Sequence, residues 1–348
     1  MSEFRLLWCE CTRSSQIQSC FGIEAESILQ PWQIERNMKK IVVLRGGDSP
    51  EREVSLVSGV EVGKVLDKLG YQVVDLDPSS FSGLSPLLSR IKSEQCDLVF
   101  NALHGGSGEN GQLAAALELA GIPFTGSGSK ASQIAMDKYI SKLIVAEEGI
   151  PVARHILMRG NLLADYTDPT DYSNFTNKLG LPLIVKPNDS GSSVGIEIVH
   201  ELGELKPSVE EAFRYCDTVL LEEFIEGREL TVSILDGKAL PVVEIRPRAG
   251  WYDYKNKYTK GNTEYLAPAP IDEEIAQLCQ LYAERAFQAL SCAVYGRVDF
   301  RLRDRVPYFL EVNTLPGMTS LSLTPMAAKA AGLSFEELLQ NIIKISLR

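Results

Sequence analysis

Ile41-Val42-Val43-Leu44 is a short apolar run that stops at Arg45-Gly46-Gly47. Uninterrupted runs of this length are typical of parallel strands buried on both faces. Val62, Val65, Leu66 and Leu69 follow at helical spacing, and Gly70 is placed to end that helix. Strands are expected at 71–76 and 97–102, the second running into His104-Gly105-Gly106, with a helix over 112–120 behind it. This alternation predicts a small doubly wound α/β domain over about 38–127, with ligands beyond the carboxyl ends of its strands. A helix is then expected over 132–148, carrying Met136, Ile140, Leu143 and Ile144 on one face. Strands follow at 152–157, 182–186 and 195–199, the last two joined by a Gly/Ser loop at 188–193, which makes an α+β unit over about 128–221. The remainder, 222–348, is entered along a strand at 219–223. It reads as strands at 229–235 and 239–245 around an Asp236-Gly237 hairpin signal, a Tyr/Lys/Asn-rich loop at 250–266, and a helix over 272–290. That helix places Ile275, Leu278, Tyr282 and Ala286 on one face, and strands at 296–302 and 307–313 close around Arg303-Asp304-Arg305.

Composition narrows the class without deciding it. The 348 residues suit two or three domains, and 45% hydrophobic with 23% charged residues is ordinary for a globular protein with its own core. A formal net charge of −11, with no basic block, argues against nucleic acid or an anionic membrane as partner. No apolar run approaches the roughly 20 residues that span a bilayer. Seven scattered cysteines without ligand spacing fit a reducing cytoplasm better than a disulfide framework. Residues 1–37 differ from the rest and read as a disordered or non-native extension, with Met38-Lys39-Lys40 as a natural beginning.

The final strand pair carries the most chemistry. Side chains alternate across a strand, so Val298, Phe300 and Leu302 share one face while Arg297, Asp299 and Arg301 share the other. On the partner strand Leu310 and Val312 are expected on one face, and Glu311 and Asn313 on the other. Closing the hairpin sets Asp299 across from Glu311, with Asn313 and Arg297 beside them. Two carboxylates and an amide are hard oxygen ligands suited to Mg2+ under a phosphate; a solvated sheet face with an Arg–Asp pair is the alternative. Lys186 ends an apolar strand two residues before the Gly/Ser loop, which makes either a phosphate cradle or an ordinary surface lysine. Gly126-Ser127-Gly128-Ser129-Lys130 has the wrong spacing for a P-loop. Lys138 in Met136-Asp137-Lys138 is the better candidate for a phosphate lysine, with a solvated helix lysine as the alternative. The segment 219–229 passes from a buried strand to Glu229, an arrangement able to read adenine through backbone groups and ribose through the carboxylate. His104 has no nucleophile partner nearby in sequence and reads on its own as structural.

Taken in order, these segments resemble the D-alanine–D-alanine ligase family. The matching stretches are Gly46-Gly47-Asp48-Ser49-Pro50-Glu51-Arg52-Glu53-Val54-Ser55, Leu103-His104-Gly105, Met136-Asp137-Lys138, Val185-Lys186-Pro187 and Gly191-Ser192-Ser193-Val194-Gly195. They continue with Tyr252-Asp253-Tyr254-Lys255-Asn256-Lys257-Tyr258, Gly296-Arg297-Val298-Asp299, Glu311-Val312-Asn313-Thr314 and Pro316-Gly317-Met318-Thr319-Ser320. The resemblance implies a three-domain α/β ATP-grasp fold, with a doubly wound first domain and ATP held between the second and third. It implies phosphate contacts from Lys138, Lys186 and Lys257, an adenine pocket of Glu222, Phe224 and Ile225, and ribose on Glu229. Asp299, Glu311 and Asn313 would bind two Mg2+ or Mn2+ ions. Glu51 would pair with the ammonium of a first D-alanine near His104, and Ser322 and Leu323 would seat the second. Ser192 and Tyr258 would link to Glu51 and close the loops. Arg297 and the N–H of Gly317 would stabilise an oxyanion.

The implied reaction joins two D-alanines at the expense of ATP, through an acyl phosphate, for peptidoglycan precursor synthesis. Lys257-Tyr258 matches dipeptide-forming members. Asn188-Asp189-Ser190 departs from the charged residue that many members carry before Gly191-Ser192. The competing readings are a D-alanine–D-lactate or D-alanine–D-serine ligase, and a nucleotide-binding protein without catalysis. A homodimer is a family-based expectation.

Overall fold

The computed structural model describes residues 40–160, 169–191, 195–248 and 261–348. The expectations for residues 1–37, Ser192, Lys257 and Tyr258 fall outside the described residues. Three strands begin the described chain: β1 (Lys40–Leu44), β2 (Gln72–Leu76) and β3 (Leu98–Asn101). They form a parallel sheet in the order β2-β1-β3. All four apolar residues of the first run are fully buried. Helices α1 (Arg52–Lys68) and α4 (Gln112–Leu119) answer to the two that the pattern predicts; α2 (Leu84–Glu94), between β2 and β3, and α3 (Gly106–Glu109), after β3, are additional. α1 buries Val62 and Leu66, but its first half turns Ser55, Ser58 and Gly59 inward. A Cβ on Gly59 would stand 2.4 Å from the Cβ of Arg45. The helix start therefore lies against the end of β1, where the first Gly-Gly loop begins.

The helix expected over 132–148 is two helices, α5 (Ser129–Met136) and α6 (Lys138–Glu147). Asp137 is extended at the break, and its carboxylate accepts from the N–H of Ile140 at 2.9 Å. This N-cap restarts the helix in a new phase. The buried face of α6 is consequently Lys138, Ser141, Lys142 and Val145. Ile140 and Leu143, expected inside, are 38% and 42% exposed. Two lysines point inward only because partners wait for them there.

The second sheet is antiparallel, in the order β4-β7-β5-β6, from β4 (His155–Arg159), β5 (Leu183–Pro187), β6 (Glu197–Val199) and β7 (Thr218–Glu223). α7 (Pro169–Leu179) and α8 (Leu202–Ala212) cover one face and share its core with Leu183, Val185, Val219 and Leu221.

The third sheet contains β8 (Arg228–Leu235), β9 (Lys238–Ala239), β10 (Val243–Pro247), β11 (Thr263–Leu266), β12 (Tyr295–Arg303) and β13 (Val306–Asn313). Its order is β11-β10-β8-β12-β13, with β9 paired to β8. Asp236 and Gly237 both take positive φ, the two-residue turn their sequence signals. The single strand expected at 239–245 is split into β9 and β10, and Pro241, which has no N–H to donate, stands between them. α9 (Glu273–Ala289) packs on this sheet through Ile275, Cys279, Ala283, Ala286 and Phe287, so Leu278 and Tyr282 are only partly buried. α10 (Leu323–Ala330) and α11 (Phe335–Ser346) complete the chain. Ser233 of β8 bonds Thr324 of α10 at 2.9 Å between hydroxyls.

The closing hairpin contains one departure. Asp299 pairs with Glu311, but the next pair is Phe300 with Phe309. A bulge at Leu310 shifts the alternation by one residue. Phe309, not Leu310, joins Val298, Phe300, Leu302 and Val312 in the core.

Candidate active site

The bulge leaves the polar face of the hairpin intact. Asp299 stands opposite Glu311, and Arg297 opposite Asn313. The Arg297 guanidinium grips Asp299 with two parallel bonds, Nε to Oδ1 at 2.8 Å and Nη2 to Oδ2 at 2.7 Å. Such forks are among the stronger ion pairs. Thr231 on β8 donates its hydroxyl to Oδ1 at 2.5 Å, and the Asn313 amide donates to Oδ2 at 3.1 Å. Glu311 on the partner strand is more open and pairs with Lys138 Nζ at 3.2 Å. Lys138 also donates to the carbonyl of Ser190, at the start of the Gly/Ser loop, at 2.7 Å. The helix break at Asp137 thus puts Lys138 between that loop and the hairpin.

Arg297, Glu311 and Asn313 open onto a cavity of about 470 Å3. Its walls bring together Glu51, His104, Arg297, Glu311, Asn313, Gly317, Ser322 and Leu323. Those residues come from four separated parts of the sequence. A smaller cavity of about 30 Å3 adjoins the same carboxylates and adds Lys138 and Gly191. Glu51 is the N-cap residue of α1. A Cβ on Gly105 would lie 2.7 Å from Glu51 Oε2, and one on Gly191 would lie 2.9 Å from it. Only glycine lets both loops come this close to that carboxylate. Gly105 also takes a φ of +62°, which favours glycine.

His104 is buried with both ring nitrogens engaged. Nδ1 lies 2.8 Å from the carbonyl of Leu315, and Nε2 lies 3.1 Å from Ser58 Oγ. A carbonyl only accepts, so Nδ1 carries the proton, and the neutral ring accepts from Ser58 at Nε2. Burial pushes the His104 pKa down, outweighing the upward pull of Glu51. The ring is therefore neutral and fastens the 315–317 segment to α1. Met318 N–H also donates to Ser58 Oγ at 3.3 Å.

Two residues here escaped the sequence reading. Glu109, at the end of α3, accepts from the N–H of Gly105 at 2.9 Å and from that of Leu315 at 3.4 Å. Burial, then the nearby charge of Glu51, pushes its pKa up to about 7. The Glu109 side chain follows the His104 loop by five residues, and that short offset was its only signal. Lys142 is the other. Its Nζ lies 2.7 Å from Glu222 Oε1 and donates to the carbonyl of Phe309 at 3.0 Å. Lys186 reaches the other oxygen of Glu222. Glu222 is 1% exposed and gripped from both sides by lysines. Burial alone would push its pKa up; Lys142 and then Lys186 more than offset that and hold it at about 2. Ile225 is buried just beyond β7, with its carbonyl accepting from Arg301 Nε at 3.3 Å; Phe224 beside it is half-buried. Glu229 pairs with Arg301 at 3.0 Å across β8 and β12.

The described residues contain no group of three or more His, Cys, Asp or Glu able to hold a metal. Two opposed carboxylates with an amide are a smaller set. They fit a cation that completes its shell with water and substrate phosphates, as Mg2+ does.

A parallel sheet, two antiparallel sheets behind it, and carboxylates and lysines converging on a cavity lined from both ends of the chain define an ATP-grasp enzyme fold. Family models described as the D-ala D-ala ligase N-terminus and C-terminus match residues 75–127 and 144–344. The chain belongs to the D-alanine–D-alanine ligase family. It is 45% identical over 309 residues to a D-alanine–D-alanine ligase of Syntrophotalea carbinolica, covering 89% of this chain and 96% of that one. A relative of the same name from Halalkalibacterium halodurans is 44% identical, covering 89% of this chain and 99% of its own. Among solved structures, the Bacillus anthracis D-alanine–D-alanine ligase complexed with ATP superimposes with a TM-score of 0.77 at 36% identity, over 89% of this chain and 98% of that chain. The VanG D-Ala:D-Ser ligase of Enterococcus faecalis follows at 0.76 and 31%, over 88% and 99%.

Proposed function

We propose that this chain joins two D-alanine molecules into D-alanyl-D-alanine, converting ATP to ADP and phosphate. The observation that carries the reading is the register of β12 against β13. It sets Asp299 against Glu311, with Arg297 and Asn313 beside them, and Arg297, Glu311 and Asn313 stand on the wall of a cavity that Glu51 and Ser322 also line. Domain boundaries would fall near 127 and 221, the second of them within β7. Cys96, Cys216, Cys279 and Cys292 are free thiols, which fits work in a reducing cytoplasm.

A carboxylate is a poor electrophile, so activation comes first. An oxygen of the first D-alanine carboxylate attacks the γ-phosphorus of ATP, and ADP leaves. Lys138 and Lys186 would face the phosphates, and Asp299, Glu311 and Asn313 would hold Mg2+, which spreads the charge of the transferring group. Glu51 orients the ammonium of that D-alanine. The amine of the second D-alanine then attacks the acyl carbon. Arg297 and the N–H of Gly317 receive the oxyanion that forms. His104 does not need to move a proton for this. Its bond to Leu315 holds the segment that carries Gly317. Phosphate leaves as the peptide bond closes, and the proton that the attacking amine sheds goes to the departing phosphate.

The test is phosphate release from ATP and Mg2+ on adding D-alanine alone. Turnover with dipeptide as product supports the reading. Silence with D-alanine, but turnover when D-lactate or D-serine is added, moves the chain to a ligase with a different second substrate. ATP binding without turnover on any of these removes the enzyme reading.

A further inference from the structure

Lys142, Lys186 and Glu222 form a triad in which every member is at least nine-tenths buried. Two cations share one carboxylate, so the cluster carries an excess of one positive charge. One lysine is enough to satisfy Glu222. Burying a second is costly unless a further anion joins it. The two lysines are not equivalent. Lys142 is 0% exposed and fixed in place, donating to the carbonyl of Phe309 and lying 5.6 Å from the centre of its ring. Lys186 stands at the end of β5, five residues before Gly191, where the Gly/Ser loop adjoins the smaller cavity.

We propose that Lys142 is a positioning residue that holds Glu222, so that Lys186 can leave that carboxylate for the phosphates of the bound nucleotide. The inference rests on the reading of this site as an ATP site. Without Lys142, Lys186 would be the sole counter-ion of a buried carboxylate. Moving it to a phosphate would then strand Glu222, and the nucleotide would bear that penalty. With Lys142 in place the transfer leaves one balanced pair behind. Burial pushes the Lys142 pKa down and Glu222 pulls it back, to about 8, so the lysine is charged at neutral pH. α6 and its inward lysine face thus acquire a purpose that the amphipathic pattern of the helix does not suggest.

The experiment compares native full-length protein with Lys142→Met, Glu222→Gln and the double variant, reading KM for ATP, KM for D-alanine and the dissociation constant of ATP. Lys142→Met should raise the ATP values about tenfold or more while D-alanine KM stays within about twofold. The double variant should bind ATP at least about threefold more tightly than Lys142→Met, because no buried carboxylate charge remains to hold Lys186. Native-like ATP affinity in Lys142→Met would overturn the proposal, as would a double variant no better than the single one. A general loosening of the fold would raise both KM values together and count against it. Should Lys142→Met not fold, the double variant is compared with Glu222→Gln. Equal ATP affinity supports the role, and weaker affinity in the double variant overturns it. A native chain that binds no ATP would instead sink the reading of the site itself.

Discussion

The polar face of the β12–β13 hairpin and the buried layer between α6, β5 and β7 are built from the same residue types, and they differ in access. On the hairpin, Glu311 opens to the cavity and Asp299 is shared by an arginine, a hydroxyl and an amide. In the buried layer Glu222 is 1% exposed and, among the described residues, is gripped by the ammonium groups of Lys142 and Lys186. The first arrangement suits chemistry, because a reacting phosphate and its cation can enter. The second suits positioning, because a charge that cannot be hydrated must be balanced at every moment. The comparison teaches that a cluster of charges is assigned by what can reach it, and not by its composition.

The hairpin should therefore respond in rate and the buried layer in nucleotide affinity. Arg297→Ala should give the largest effect. Losing an oxyanion donor costs about 10²–10³ in kcat in comparable sites. Nucleotide binding should stay mostly intact, which calorimetric titration with ATP would check; a wild-type rate would break the assignment. Asp299→Asn keeps the shape and loses the charge. It should lower kcat about 10²-fold, and added Mg2+ should recover part of the loss. A full rate at ordinary Mg2+ would move the cation site away from the hairpin.

Glu109 sharpens the contrast, since it is buried like Glu222 but, among the described residues, is met by backbone N–H groups and not by a lysine or arginine. Its pKa is raised from 4.5 to about 7. The folded state therefore favours the protonated form. The stability it contributes is fully present below pH 4.5 and is lost as pH rises through 7. The loss amounts to about 3 kcal/mol over that window. Glu109→Gln should flatten that part of the curve, as thermal melts at pH 4.5, 6 and 7.5 would reveal. An unchanged slope would assign the dependence to another group. The smallest effect is expected from deleting residues 2–37, which should leave kcat and KM as they are. A large loss would make that segment part of the working enzyme.

The two regions also differ in how far the sequence reveals them. The hairpin is local: β12 and β13 are joined by a two-residue turn at Asp304 and Arg305, both with positive φ, and alternation does the rest. Only the bulge at Leu310 was hidden, because nothing in Leu310 or Phe309 says which of two adjacent apolar residues will be skipped. The buried triad joins a helix and two strands whose members are separated by 44 and 36 residues, counting from Lys142 to Lys186 and from Lys186 to Glu222. No periodicity reports such a meeting. The apolar stripe of α6 pointed the wrong way, because pattern reading assumes that lysines face water. Glu109 was missed for a related reason, since its partners are backbone N–H groups, which every residue offers. The order of glycine-rich loops, strand ends and carboxylates was legible because each is set by local geometry.

The central claim is that the cavity beside the hairpin activates a carboxylate by phosphorylating it. The most direct measurement uses D-alanine labelled with ¹⁸O in its carboxylate, with ATP and Mg2+, and follows the label by mass spectrometry. One carboxylate oxygen should appear in the released inorganic phosphate for each dipeptide formed. Dipeptide accompanied by unlabelled phosphate would contradict an acyl phosphate and the account built on it.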